Sequence, residues 1–247
     1  RTSPGSRHVP IGLYICHENI VISASCSDVF VDHLISVVNG PLPFVLLVEG
    51  SIPIEANGKM CYVFDDDSGT IDSEITDIRG WHAPGPGITM AKALQWMGSK
   101  AAFIINIGTC SSFGGIPAAR TYYTNTQAKD TASAMSLFQR YLDPGLTIPP
   151  IVNVPGCPPN PDWMIYPVAY WMIHGTFPAV DAYGRPTATY PGYPSAANCS
   201  RCSKNNTPIS NTDGWYDGCL QTQGCKGWAT FSDCPSAQRW NRFDDVL

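Results

Sequence analysis

Seven cysteines set in glycine- and proline-rich turns are the residues of this chain best suited to chemistry. Cys110 closes GTC, Cys157 sits inside PGCPPNPDW, Cys225 closes GC and Cys234 lies within DCP; Cys199, Cys202 and Cys219 fall between Cys157 and Cys225. Thiolates in such turns suit iron–sulfur clusters, because the backbone can bend around a bulky inorganic core and aim N–H groups at its sulfurs. The pattern is that of an electron carrier.

Ten cysteines in all admit three uses: disulfides, zinc or iron–sulfur clusters. Disulfide scaffolds suit chains too small to build a core, and 247 residues are not few. Cys199-x2-Cys202 followed by Cys219-x5-Cys225 could hold tetrahedral zinc or a cubane. The x2 pair fits a zinc knuckle, but the x5 gap is wide for zinc and Cys234 is a fifth thiol that one zinc does not use. Spacing therefore favours a cluster.

The elements that must position these thiols are legible in the first two thirds of the chain. Phe44–Gly50, Ala101–Gly108 and Pro150–Pro155 read as short apolar runs, the form of buried parallel strands. Ile88–Met97, Thr131–Leu142 and Asp162–His174 carry apolar residues at helical spacing. This alternation predicts an α/β fold with an open parallel sheet covered by helices. In such sheets ligands sit beyond the carboxyl ends of the strands. Glu49, Cys110 and Cys157 each follow a strand, so all three should meet there. The expected division is an atypical amino-terminal segment over 1–40, a sheet domain over 41–176, and an irregular Cys-rich segment over 177–247 that a metal centre must help to order.

Composition sets outer bounds. Hydrophobic residues make up 44% and charged residues 14%, enough for a real core and too apolar for extended disorder. Seven Trp and eleven Tyr on a charge-poor chain suggest surface buried against a partner. A net charge of −5 without a basic stripe excludes nucleic acid as the expected ligand. No apolar run reaches the roughly 18 residues of a membrane span. The start RTSPGSRHVPIG has no apolar signal core, so a mature or cytosolic form is expected.

Taken in order, VEGSIP (48–53), GTCSSFGGIPAA (108–119), VPGCPPNPDW (154–163), GRP (184–186), GCKG (224–227) and DCPSAQRWN (233–241) resemble the small subunit of a [NiFe]-hydrogenase. The GTC and PGCPP elements are shared with the cluster-bearing subunit of respiratory complex I, whereas GCKG and DCP are not. The resemblance implies a flavodoxin-like domain with a proximal [4Fe–4S] cluster, then a segment carrying distal and medial clusters. Cys110 and Cys157 match two proximal ligands, and Glu49 matches the acidic residue beside that cluster. The family's distal cluster uses His-x2-Cys and then Cys-x5-Cys; here the four ligands would be Cys199, Cys202, Cys219 and Cys225. An added thiolate in place of histidine should lower the cluster potential.

Both ends depart from the family. Cys234 matches the first ligand of the medial cluster, a [3Fe–4S] centre, but the next two would fall beyond Leu247. That cluster is absent, or completed by another chain, or the polypeptide has been cut. The family's opening Cys-x2-Cys pair is reduced to Cys26 with Ser23 at the partner position, and Cys16, beside His17, is the other candidate. The implied function is one-electron relay between a large [NiFe] catalytic subunit and an acceptor such as a cytochrome, in a periplasmic or membrane-associated complex. No nickel motif is expected in this chain. Two rivals remain: a complex-I-type cluster subunit, and a zinc-stabilised interaction protein without redox centres.

Other residues have plainer readings. Cys61, before Tyr62-Val63-Phe64, reads as a buried apolar thiol. His33, His82 and His174 read as surface or satisfied histidines, and Asp65-Asp66-Asp67 as a solvated turn. Trp163, Tyr166, Tyr170 and Trp171 read as core or interface residues of one helix.

Overall fold

A computed structural model of the chain describes residues 28–54, 61–75, 87–118, 131–192, 194, 199 and 225–233. Three parallel strands form its centre: β1 (Val45–Glu49), β5 (Phe103–Ile107) and β7 (Ile151–Val154), in the spatial order β1-β5-β7. The register places Glu49 opposite Ile107 and Ile107 opposite Val154, so all three strands end level. This is the expected α/β arrangement.

Helices cover both faces of this sheet. On one side Leu46, Val48 and Ile104 pack with residues of α1 (Asp28–Val38), α3 (Met90–Lys100) and α6 (Ala134–Arg140), including Leu34, Trp96 and Leu137. On the other, Phe103, Ile105, Val152 and Val154 pack with Trp163 of α7 (Pro161–His174) and with Tyr190. Alternate residues of β5 serve the two cores, so the apolar run needs no polar face. Each fully buried Ile or Val contributes about 1.5–3 kcal/mol by leaving water.

Helix starts follow local polar chemistry. Thr89 caps α3, its hydroxyl accepting from Lys92 N at 3.2 Å. Ser133 caps α6, accepting from Ser136 N at 2.9 Å. Asn160 caps α7, accepting from Asp162 N at 2.9 Å, with Pro161 in the first turn, where a missing N–H costs nothing. These caps correct two sequence boundaries. Ile88 belongs to β4 (Gly87–Thr89) rather than to the helix, and Thr131 to β6 (Thr131–Ala132). β4 pairs antiparallel with β3 (Tyr62–Asp65), and β6 with β2 (Ile52–Pro53).

Three other readings change. Residues 28–38, which gave no clear pattern, form α1. Asp66 is not a solvated turn residue: it is 3% exposed, and its carboxylate accepts from Ile71 N and Ser68 Oγ at the start of α2 (Thr70–Glu74). Cys61 is half-buried rather than buried. His33 and His174 are exposed, the latter stacked on Tyr170, and His82 lies outside the described residues. Trp163 is buried, and Tyr166, Tyr170 and Trp171 are half-buried, as core or interface residues should be.

Candidate thiolate site at the sheet edge

Cys110 lies three residues beyond Ile107, and Cys157 three residues beyond Val154, while Ile107 and Val154 are paired partners. Two level strands with equal overhangs bring the two turns side by side. Cys110 is in the short helix α4 (Gly108–Phe113), and Cys157 in the irregular turn before α7, with a cis peptide to Pro158. The turns are tied directly. Thr109 N donates to Gly156 O at 2.9 Å, and Gly156 N donates back to Thr109 Oγ1 at 3.1 Å. Each cysteine is thus the chain neighbour of one member of a doubly bonded pair.

Close packing in both turns depends on glycine. Gly115, at the start of α5 (Gly115–Ala118), has φ +56, and a Cβ there would stand 2.6 Å from Cys110 Sγ. A Cβ on Gly156 would stand 2.5 Å from Pro159 Cα. Both Cys110 and Cys157 carry free thiols, the first half-buried and the second exposed. Glu49 is exposed at the same edge, at the end of β1.

Beneath the turns, polar side chains replace apolar ones at the next-to-last residues of β5 and β7. Asn106 Nδ2 donates to Asn153 Oδ1 at 2.8 Å, and both residues are 0% exposed. Ser112 Oγ donates to Asn106 O at 3.2 Å, which ties α4 to β5. Asn153 reaches the GRP element on its other side: its N donates to Gly184 O, and its Nδ2 to Tyr183 O, each at 2.7 Å. Arg185 of that element pairs with Asp181 and lies over the rings of Tyr183 and Tyr190, at 5.0 and 5.6 Å. Burial alone would raise the pKa of Asp181, but hydrogen bonds from Arg185 and Tyr183 and the guanidinium charge outweigh it and hold the carboxyl below its ordinary value.

Two free thiols carried on turns that are bonded to each other are of the type that could supply half of a four-thiolate set. Among the described residues no group of three or more metal-binding side chains is assembled. Of the other candidates, Cys16, Cys26, Cys202, Cys219 and Cys234 lie outside the described residues. Cys199 is half-buried and Cys225 exposed. Sequence reasoning did not find Asn106, Asn153 or Tyr190, whose partners are distant in the chain; Asp181 was missed although its partners Tyr183 and Arg185 lie within four residues, a local signal that could have found it.

A model of the family "NADH ubiquinone oxidoreductase, 20 Kd subunit" matches residues 16–171. The small subunit of the periplasmic [NiFeSe] hydrogenase of Desulfomicrobium baculatum is 34% identical over 205 residues, covering 80% of this chain and 58% of the relative. The small chain of the quinone-reactive Ni/Fe-hydrogenase of Wolinella succinogenes is 31% identical over 232 residues, covering 92% and 55%. A crystal structure of the Ni-Fe-Se hydrogenase from Desulfomicrobium baculatum in a reduced, active form superposes with a TM-score of 0.64 at 26% identity, over 90% of this chain and 74% of that one. The chain thus spans little more than half the length of these curated relatives.

Proposed function

Because this chain belongs to the family of the NADH ubiquinone oxidoreductase 20 Kd subunit and resembles hydrogenase small subunits over most of its length, we propose that it is the electron-transfer small subunit of a [NiFe]-hydrogenase. The observation that carries this reading is the Thr109–Gly156 tie, which sets two free thiols on adjoining turns at the sheet edge. Cys110 and Cys157 would hold a proximal [4Fe–4S] cluster, with Cys26 or Cys16 supplying a further thiolate. Such a cluster, when bound, accepts and passes on one electron at a time. Glu49 would stand beside it as the acidic neighbour.

The chain's own part is to fix the thiolates. The buried Asn106–Asn153 bond keeps β5 and β7 from sliding, and Gly115 leaves the space that the Cys110 sulfur needs. Cys199, Cys202, Cys219 and Cys225 would hold a distal [4Fe–4S] cluster. Cys234 would begin a medial [3Fe–4S] site if other ligands complete it. On this reading residues 41–176 are the proximal-cluster domain and 177–247 the later cluster segment, following the atypical stretch 1–40.

The partner is a large subunit that carries the nickel–iron centre, with a cytochrome or another redox protein as acceptor. Periplasmic or membrane-associated placement belongs to the same proposal, supported by the periplasmic relative; among the described residues no helix is long and apolar enough to cross a membrane. The test is made on the native complex. Iron and acid-labile sulfide in equal amounts, together with hydrogen-dependent reduction of a viologen dye, support the reading. Zinc in place of iron refutes it, and clusters without hydrogen oxidation favour the complex-I relative.

A further inference from the structure

We infer that Tyr190, Trp163 and Asp233 form one strut that positions the Cys157 turn, and so tunes the cluster bound there; this rests on the reading of Cys157 as a cluster ligand. Tyr190 Oη donates to the carbonyl of Pro155 at 2.7 Å, two residues before Cys157. The Tyr190 ring lies against Trp163, with centroids 5.4 Å apart. Trp163 Nε1 donates to Asp233 Oδ1 at 2.5 Å, and Asp233 N donates to Thr189 O at 2.9 Å. Since Thr189 precedes Tyr190, these contacts close a ring: Tyr190, Trp163, Asp233, Thr189 and back through one peptide bond.

Every member is buried: Thr189 is 1% exposed, Tyr190 4%, Trp163 5% and Asp233 6%. Burying a carboxylate is expensive unless its oxygens are hydrogen-bonded, and an apolar side chain would fill the same core without that cost. A directed bond from Trp163 to Asp233 therefore specifies geometry that packing alone would leave loose. Burial also pushes the Tyr190 hydroxyl far above its ordinary range, so it stays protonated and remains a donor.

The strut and the Thr109 tie hold adjacent residues of the turn. Gly156 is held by Thr109 and Pro155 by Tyr190, so the two residues before Cys157 are each bonded to a different element. Asp233 immediately precedes Cys234, so the same ring joins the PGCPPNPDW motif to the DCP motif across 70 residues. The two thiol-bearing motifs are thereby mechanically linked.

The test uses the native complex with Tyr190→Phe, Trp163→Phe and the double variant, each of which keeps an aromatic ring. Trp96→Phe is the control, because Trp96 Nε1 donates to Glu74 Oε2 at 2.7 Å and that bond ties α3 to α2, not to a thiol turn. The signal assigned to the cluster is the paramagnetic resonance that Cys157→Ser removes. The expected result is that its g-values or midpoint potential shift in Tyr190→Phe and in Trp163→Phe. The double variant should shift them no further than the larger single change. Cluster loss on standing should be about fivefold faster, the factor that one neutral hydrogen bond is worth. Trp96→Phe should lower thermal stability without moving the signal. A folded Tyr190→Phe complex whose signal and potential match the wild type overturns the strut alone. A wild-type complex without any iron–sulfur signal overturns the underlying reading and the strut with it.

Discussion

Replacing Gly115 by alanine separates a cluster site from an ordinary tight turn. Gly115 has φ +56, a left-handed conformation that costs an alanine about 1–2 kcal/mol. The same strain arises at Gly175, the carboxyl cap of α7, where φ is +68 and a Cβ would meet nothing within 4 Å. At Gly115 the Cβ would also lie 2.6 Å from Cys110 Sγ and 3.1 Å from Cys110 Cα. Ordinary contact between such atoms begins near about 3.5 Å, so the sulfur must move by nearly 1 Å. In a chain of this size each kcal/mol is worth roughly 2–4 °C, so the backbone strain alone should lower the melting of both alanine variants by about 2–8 °C, with a further loss in Gly115→Ala from the contact with Cys110. Calorimetry combined with an iron count on the native complex distinguishes them. Gly175→Ala should keep its iron, whereas Gly115→Ala should lose the iron of the edge cluster. A Gly115→Ala complex with full iron, an unchanged resonance and the same melting loss as Gly175→Ala would refute the reasoning.

Two further outcomes follow from the polar network. Asp72→Ala leaves the ammonium of Lys92, whose side chain is 2% exposed, without the carboxylate that joins α2 to α3, and should cost roughly 3 kcal/mol in denaturant unfolding with the iron content unaltered. Asp181 titrates below its ordinary value in the folded chain. Its contribution is therefore present above the unfolded value of 3.8 and lost as pH falls through the folded one. Amide protection at Tyr183 and Arg185, both of which donate to Asp181, should collapse only in strong acid, and Asp181→Asn should abolish that pH dependence.

The strands that set the site were readable because β1, β5 and β7 are mostly apolar runs with buried residues on each, broken only by Glu49, Asn106 and Asn153 near their carboxyl ends. The elements that escaped were those set by few residues. β2 and β6 are two residues long, too short for any period to register, and Thr131 was absorbed into a helix that Ser133 in fact begins. Ile88 at helical spacing was likewise claimed for α3, although Thr89 caps that helix. Asp66 looked like one of three exposed acids because a sequence does not reveal that its carboxylate turns back onto Ile71 N. At the site, the two thiol turns were legible from GTC and PGC together with the rule that ligands gather at strand ends. The supports beneath them were not, since Asn106 meets Asn153 across 47 positions and Trp163 meets Asp233 across 70.

The most direct measurement compares resonance spectra of the reduced native complex carrying Cys110→Ser with one carrying Cys157→Ser. If one inorganic core spans both turns, each exchange should erase or distort the same signal and leave every other signal in place. Loss of two different signals, or spectra indifferent to both exchanges, would contradict a shared centre at the end of β5 and β7.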